Sequence, residues 1–263
     1  MTAHIAILIP ARLGSTRMPE KLMRAETGRP LVTHVLDVAE AARAASDGTV
    51  AEVIVVTDSP RIADAVTDHA ATAGYGARAV LSRGEHASGT ERIAEAAADL
   101  PDSIRLFVNI QGDEPELPPE AILRVARLLD ERPEAGMSTL VRPMADEAEW
   151  RNPNMVKAVV AADGACLYFS RAPVPYDRDG ARRPGDPCGH LHFGVYGYRR
   201  EVLLGYPALP ASHLEALEKL EQLRALEAGI RIVAAETDYA GAGVDTEEDY
   251  RAFVARTARV ASG

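Results

Sequence analysis

The residues from Pro10 to Lys21, Pro10-Ala11-Arg12-Leu13-Gly14-Ser15-Thr16-Arg17-Met18-Pro19-Glu20-Lys21, set Arg12, Arg17 and Lys21 among small residues. A turn that combines guanidinium and ammonium groups with exposed backbone N–H groups suits a polyphosphate. It is not a Walker A loop, because the GxxxxGK[ST] spacing is missing. The same cations also suit a solvated surface loop. The phosphate reading is favoured by position, since the segment leaves the end of an N-terminal apolar run, and ligands of open α/β sheets gather at the carboxyl ends of strands. A second segment, Val108-Asn109-Ile110-Gln111-Gly112-Asp113-Glu114-Pro115, carries a carboxylate out of another apolar run. Mg²⁺ takes one or two carboxylates plus substrate phosphates, so Asp113 suits a metal, and it equally suits a turn cap. Asp245, in Gly243-Val244-Asp245-Thr246, has the same two readings, ligand or helix N-cap.

The elements that must hold these residues are set by periodicity. HIAILIPAR reads as a buried parallel strand, and further strands are expected over 50–58, 77–81 and 105–113. Between them, 30–46, 59–74 (with Ser59 as N-cap and Pro60 first), 88–100 and 118–132 show helical spacing. This alternation indicates βαβ units on a mostly parallel sheet, an α/β fold. From about 137 the texture turns to longer strands with a hairpin signal at Asp163-Gly164, and HFGVYGYRREVL reads as one of those strands. LEALEKLEQLRALEAG (214–229) reads as one amphipathic helix stopped by Gly229, followed by a strand over 230–237 and a closing helix.

Composition bounds the rest. The chain has 263 residues, a net charge of −10 and 47% hydrophobic residues, which matches a soluble globular protein and argues against nucleic-acid or basic membrane-surface binding. An anionic ligand must therefore be held by local cations. The N-terminus lacks the pattern of a signal peptide and no run reaches the length of a membrane span, so a cytoplasmic protein is expected. Cys166 and Cys188 form no CxxC pattern and suggest neither zinc nor a disulfide framework. Lysine occurs only at Lys21, Lys157 and Lys219, a skew that a GC-rich genome produces.

IPARLGSTRMPEKL, SGTER, VNIQGDEP, NPNMVK, YFSRAPVPYDRD, HFGVYGYRR, LEKLEQLR and GVDTEED occur in the order and spacing of the CMP-Kdo synthetases, the 3-deoxy-manno-octulosonate cytidylyltransferases. The chain resembles that family from about His4 to Val254. The resemblance implies a Rossmann-like nucleotidyltransferase fold with a β-rich insertion used for dimerisation. It implies a single domain over 1–263, with a nucleotide-binding half (1–136) and an acceptor-binding and dimerisation half (137–263). It implies Mg²⁺-dependent transfer of CMP from CTP to 3-deoxy-D-manno-octulosonate (Kdo), with release of pyrophosphate. Arg12, Lys21, Asp113 and Asp245 would be catalytic, and Asp113 and Asp245 would hold the metal. Ala11, Ser15, Thr16, Arg17, Ser88, Gly89, Thr90, Arg92 and Gln111 would join Arg12, Lys21 and Asp113 around the nucleotide. Arg171, His192, Tyr196, Glu221 and Gln222 would face the acid.

On spacing alone these acceptor-side residues have other readings. His192 and Tyr196, four apart on one strand, share a face and suit packing at the core edge; Glu221 and Gln222 suit a solvated helix face, and Arg171 a surface anchor. The sequence also departs from the family at Leu13-Gly14, at Glu20 and Leu22, and at Tyr176. An acidic Glu20 in a phosphate loop is expected to point outward or to tether an arginine. The departures bear on the acceptor, for which a small phosphonate, phosphonoformate, is the alternative. A non-catalytic nucleotide-binding homologue is the reading from another class.

Overall fold

The computed structural model describes residues 4–15, 18–183, 185–241 and 243–261. The chain forms two compact units, Met1–Leu123 with Gly241–Gly263, and Arg124–Ala240. In the first unit, β1 (Ile5–Ala11), β2 (Val50–Thr57), β3 (Arg78–Leu81) and β4 (Leu106–Asn109) lie in the order β3-β2-β1-β4, all parallel. Ile7, Leu8 and Ile9 are fully buried, as an apolar run with no polar face requires when helices cover both sides of a sheet. Those helices are α1 (Leu31–Ala44), α2 (Pro60–Ala73) and α3 (Gly89–Ala98). Ser88 caps α3 by accepting from the Glu91 N–H at 3.1 Å, whereas Ser59 precedes α2 without a side-chain cap. β4 ends at Asn109, earlier than its apolar run suggests: its register with β1 stops at Leu8↔Asn109, and beyond it the Ile110 N–H donates to the Leu8 carbonyl at 3.2 Å.

The chain runs outward from β1 to β2 and β3, then returns to β4 on the opposite side of β1. That reversal is where the loops after two neighbouring strands diverge and leave a crevice. The close spacing depends on Gly112: a Cβ there would stand 3.1 Å from the Pro10 carbonyl and from Leu22.

Helix α4 (Pro119–Glu131) carries the chain onward into the second unit. There β5 (Met137–Met144) pairs antiparallel with β8 (Gly189–Arg199) and parallel with β9 (Ile232–Glu236). The short α5 (Glu147–Arg151) precedes β6 (Lys157–Val160) and β7 (Cys166–Ser170), which form the hairpin expected around Asp163-Gly164. The register of β5 against β8 slips between Thr139↔Tyr196 and Leu140↔Phe193, so Gly194 and Val195 bulge. Thr139 lies 3.1 Å from the Phe193 carbonyl and 2.8 Å from the Val195 carbonyl, so its hydroxyl supplies a donor to the bulge.

Two expectations are corrected here. Residues 200–203 do not extend β8; they begin α6 (Arg200–Gly205). The single helix expected over 214–229 is two, α7 (His213–Glu218) and α8 (Gln222–Glu227), broken at Lys219 in the left-handed region (φ 55°, ψ 48°). That conformation costs a non-glycine residue about 1 kcal/mol. It is held by a long-range contact: the Glu218 carbonyl accepts from Arg171 Nε at 2.8 Å. Helix α9 (Glu247–Ala261) closes the chain and returns to the first unit.

Candidate active site

The loops after β1 and β4 and the segment before α9 enclose a cleft of about 280 Å³, lined by Pro10, Arg12, Gly14, Ser15, Lys21, Leu22, Gln111, Gly112, Asp113 and Asp245. Lys21 opens a 3₁₀ turn (Lys21–Met23) whose Leu22 is buried, which draws the lysine down until it is only 9% exposed. Its Nζ lies 2.5 Å from Asp113 Oδ2 and 3.2 Å from Asp245 Oδ1. Burial opposes the ammonium charge, but the facing carboxylates of Asp113 and Asp245 outweigh it and hold the Lys21 pKa above its ordinary value. The two aspartates, far apart in sequence, meet because the Val244 N–H donates to the Asp113 carbonyl at 2.8 Å. Gly243 permits that approach, since a Cβ there would lie 2.9 Å from Glu114 Oε1.

A latch secures the same junction. Arg24 donates through Nη1 to Glu247 at 2.8 Å and through Nε to Glu26 at 2.7 Å, with its guanidinium 4.4 Å from the centre of the Tyr250 ring. The Tyr250 hydroxyl donates to Glu26 at 2.6 Å. These contacts fasten the segment just after Lys21 to the first turns of α9, next to Asp245.

Glu20 does not engage Arg12. It points outward and pairs with Arg61 on α2 at 2.7 Å. Arg12 is exposed in the cleft, Ser15 accepts from the Met18 N–H at 3.3 Å, and Ala11 is buried at the end of β1. Thr16 and Arg17 lie outside the described residues. Ser88, Gly89, Thr90 and Arg92 sit at the start of α3 and do not line the cleft. Arg92 is buried and donates to Asp58 Oδ2 at 3.0 Å and to Ser82 at 3.3 Å, while Asp58 Oδ1 accepts from the Leu13 N–H at 3.1 Å. Arg92 thus reaches the loop after β1 through Asp58.

Sequence reading passed over Asp58 and Glu114. The signal for Asp58 was its place at the end of β2, the strand beside β1. Glu114 had only its neighbour Asp113. Burial, reinforced by the Asp113 and Asp245 charges, pushes its pKa up to about 8, and Oε2 has no hydrogen-bond partner.

In the second unit, His192 and Tyr196 touch, with ring centres 5.4 Å apart, and Phe169 meets His192 edge-on at 4.8 Å. His192 Nε2 lies 2.9 Å from the Thr139 hydroxyl. Because that hydroxyl gives its proton to a bulge carbonyl, it accepts from His192, which fixes the imidazole as the Nε2–H tautomer with Nδ1 as an acceptor. Burial lowers the His192 pKa to about 3, so the ring stays neutral. Tyr206 donates to the Glu221 carbonyl at 2.7 Å. Gln222 is 4% exposed and its Nε2 has no partner. Arg171 holds backbone: besides Glu218, Nη1 donates to the Pro153 carbonyl at 3.0 Å.

Among the described residues no group of three His, Cys, Asp or Glu side chains is arranged to hold an ion. Asp113 and Asp245 nevertheless converge on a point where a cation, Lys21, already sits. Two carboxylates beside a phosphate-sized cleft are the donor set Mg²⁺ takes when substrate phosphates complete its shell. No helix among the described residues is long and apolar enough to cross a membrane.

A family model described as cytidylyltransferase matches residues 6–232. A 3-deoxy-manno-octulosonate cytidylyltransferase of Rhodopirellula baltica is 42% identical over 254 residues, covering 95% of this chain and 97% of its own. One from Syntrophotalea carbinolica is 42% identical over 250 residues, covering 93% and 95%. A CMP:2-keto-3-deoxy-manno-octonic acid synthetase, solved in complex with CTP, superposes with a TM-score of 0.86 at 36% identity over 98% of this chain and 99% of its own.

Proposed function

The chain belongs to the cytidylyltransferase family, and we propose that it transfers CMP from CTP to Kdo, forming CMP-Kdo and pyrophosphate. The observation that carries the nucleotide half is the cleft after β1 and β4, where Arg12 and Lys21 face Asp113 and Asp245. The acceptor half is supported by relatives 42% identical along nearly their whole length that are named for Kdo.

An acceptor oxygen attacks the α-phosphorus of CTP, and the bond to the leaving pyrophosphate breaks. This chemistry needs alignment and charge neutralisation more than covalent work by side chains. Arg12 and Lys21 would hold triphosphate oxygens, with Ser15 shaping the loop around them. Mg²⁺ held by Asp113 and Asp245 would neutralise phosphate charge. Ser88, Gly89 and Thr90 would border the nucleotide, and Arg92 would set the loop through Asp58. On the acceptor side, neutral His192 would offer Nδ1 to a hydroxyl, and Tyr196, Glu221 and Gln222 would supply polar contacts. A homodimer built on the 137–200 segment belongs to the same reading, supported by the exposed Leu167 on β7 and Tyr176 after it; a protomer mass by light scattering would remove it.

Purified protein with CTP, Mg²⁺ and Kdo is expected to release pyrophosphate. Release with phosphonoformate and none with Kdo overturns the acceptor. Asp113→Ala and Asp245→Ala should each lower turnover about a hundredfold with the circular dichroism unchanged; full turnover in either removes that residue from the metal. If the parent protein binds CTP but turns over neither acceptor, nucleotide binding without catalysis is the function that stands.

A further inference from the structure

The repeat of leucines through 214–229 is continuous, yet the helix is not. At the break, four contacts meet on two residues. The Glu218 carboxylate accepts from the Ser170 hydroxyl at 2.6 Å and from the Arg171 N–H at 2.9 Å. Arg171 Nε returns to the Glu218 carbonyl at 2.8 Å, and Nη1 reaches the Pro153 carbonyl at 3.0 Å. In an unbroken helix the Glu218 carbonyl would accept from the N–H of residue 222; Arg171 has taken that place. Behind it, the Arg171 carbonyl accepts from the fully buried Lys157 at 2.7 Å, and the same ammonium donates to the Asn152 and Met155 carbonyls at 2.9 and 2.5 Å. The end of β7, the 152–157 segment and the end of α7 are thereby tied together.

The break also resets the next turn of the chain. Gln222 becomes the first residue of α8, buried, with an amide donor that the protein leaves without a partner. A buried donor in that state is matched to an acceptor the chain does not supply.

We infer that Glu218 and Arg171 form a clamp whose task is to hold the helix broken at Lys219 and so present Glu221 and Gln222 to the anionic acceptor. Glu218 is a positioning residue; it touches no substrate. The inference rests on the assignment of an acceptor site to this unit. It also moves Arg171 from direct contact with the acid to backbone support.

The test is a steady-state comparison of parent, Glu218→Ala, Lys219→Gly and the double variant. Glu218→Ala should raise the acceptor KM about tenfold and leave the CTP KM within about twofold, since the nucleotide cleft is not part of the clamp. Lys219→Gly, which adopts the left-handed turn without a side-chain penalty, should leave both constants unchanged. Added to Glu218→Ala, it should recover most of the lost acceptor affinity, a rescue that a general packing defect would not show. An unchanged acceptor KM in Glu218→Ala, a parallel rise in both KM values, or no recovery in the double variant each overturns the clamp. If the parent uses another anionic acid in place of Kdo, the Kdo assignment fails by itself, and the clamp is judged by the same ratios with that acid.

Discussion

Each of the three lysines occupies a place where its point charge or its backbone is conspicuous. Lys157 satisfies three carbonyls around one ammonium, a geometry suited to three rotatable donors and poorly matched by a planar guanidinium. Lys219 carries the left-handed break. Lys21 sits where the proposed divalent cation would bind, and its charge keeps Asp113 and Asp245 from repelling one another. The carboxylates thus already have a counterion, and under the proposed function a bound triphosphate would draw the ammonium away. Lys21→Met should therefore bind Mn²⁺ about tenfold more tightly than the parent without nucleotide, as read by electron paramagnetic resonance. The parent should approach that affinity only when CTP is present. Equal nucleotide-free affinities would remove Lys21 from this role. Sequence alone showed the three residues and left Asp113 and Asp245 each with a capping alternative. Their meeting depends on contacts between distant segments, among them the backbone bond from the Val244 N–H to the Asp113 carbonyl, which no local pattern encodes.

Among the elements, β1, β2 and β4 are legible because their apolar runs are long and their neighbours helical. The order β3-β2-β1-β4 puts the crevice where the cationic loop and the Asp113 loop emerge, so much of the cleft is dictated by topology. The helix at 214–229 failed for the opposite reason. Its spacing is regular, and the residue that holds the break at Lys219 in the proposed clamp, Arg171, lies just past the end of β7, far off in the sequence. Asp58 is a similar case: its significance comes from bridging Leu13 and Arg92. Asp58→Ala should loosen the phosphate loop and raise the CTP KM about tenfold, in keeping with the loss of charge-assisted hydrogen bonds, while the acceptor KM stays level. An unchanged CTP KM would confine Asp58 to structural support of α3.

At the level of the whole molecule, the two units share a sensitivity to acid. His34, buried in the first unit, lies with Nδ1 3.0 Å from Arg29 and Nε2 2.8 Å from Thr27, with Phe253 edge-on at 5.0 Å. Burial, then the Arg29 charge, lower its pKa to about 4, with Asp37 opposing and His69 adding a little. His192 in the second unit is lowered to about 3. The unfolded chain therefore binds more protons than the folded one below the ordinary histidine value of about 6.5. The contribution of the two histidines is complete above that pH and is lost as the medium is acidified toward about 4 and then 3, at about 2 kcal/mol per histidine between pH 7 and 5. Glu114, raised to about 8 by burial, gains stability over the same interval and offsets part of that loss. Denaturant melts at pH 7 and 5 should show the loss, and His34→Gln should reduce it; an equal loss in the variant would clear His34. The first unit has a further property, its discontinuity: Met1–Leu123 is completed by Gly241–Gly263, with the whole second unit translated in between. On a ribosome β1 to β4 can assemble early, with Lys21 facing Asp113 alone. Asp245 arrives only after Ala240, so a nascent chain cannot finish the cleft until the second unit has already been made.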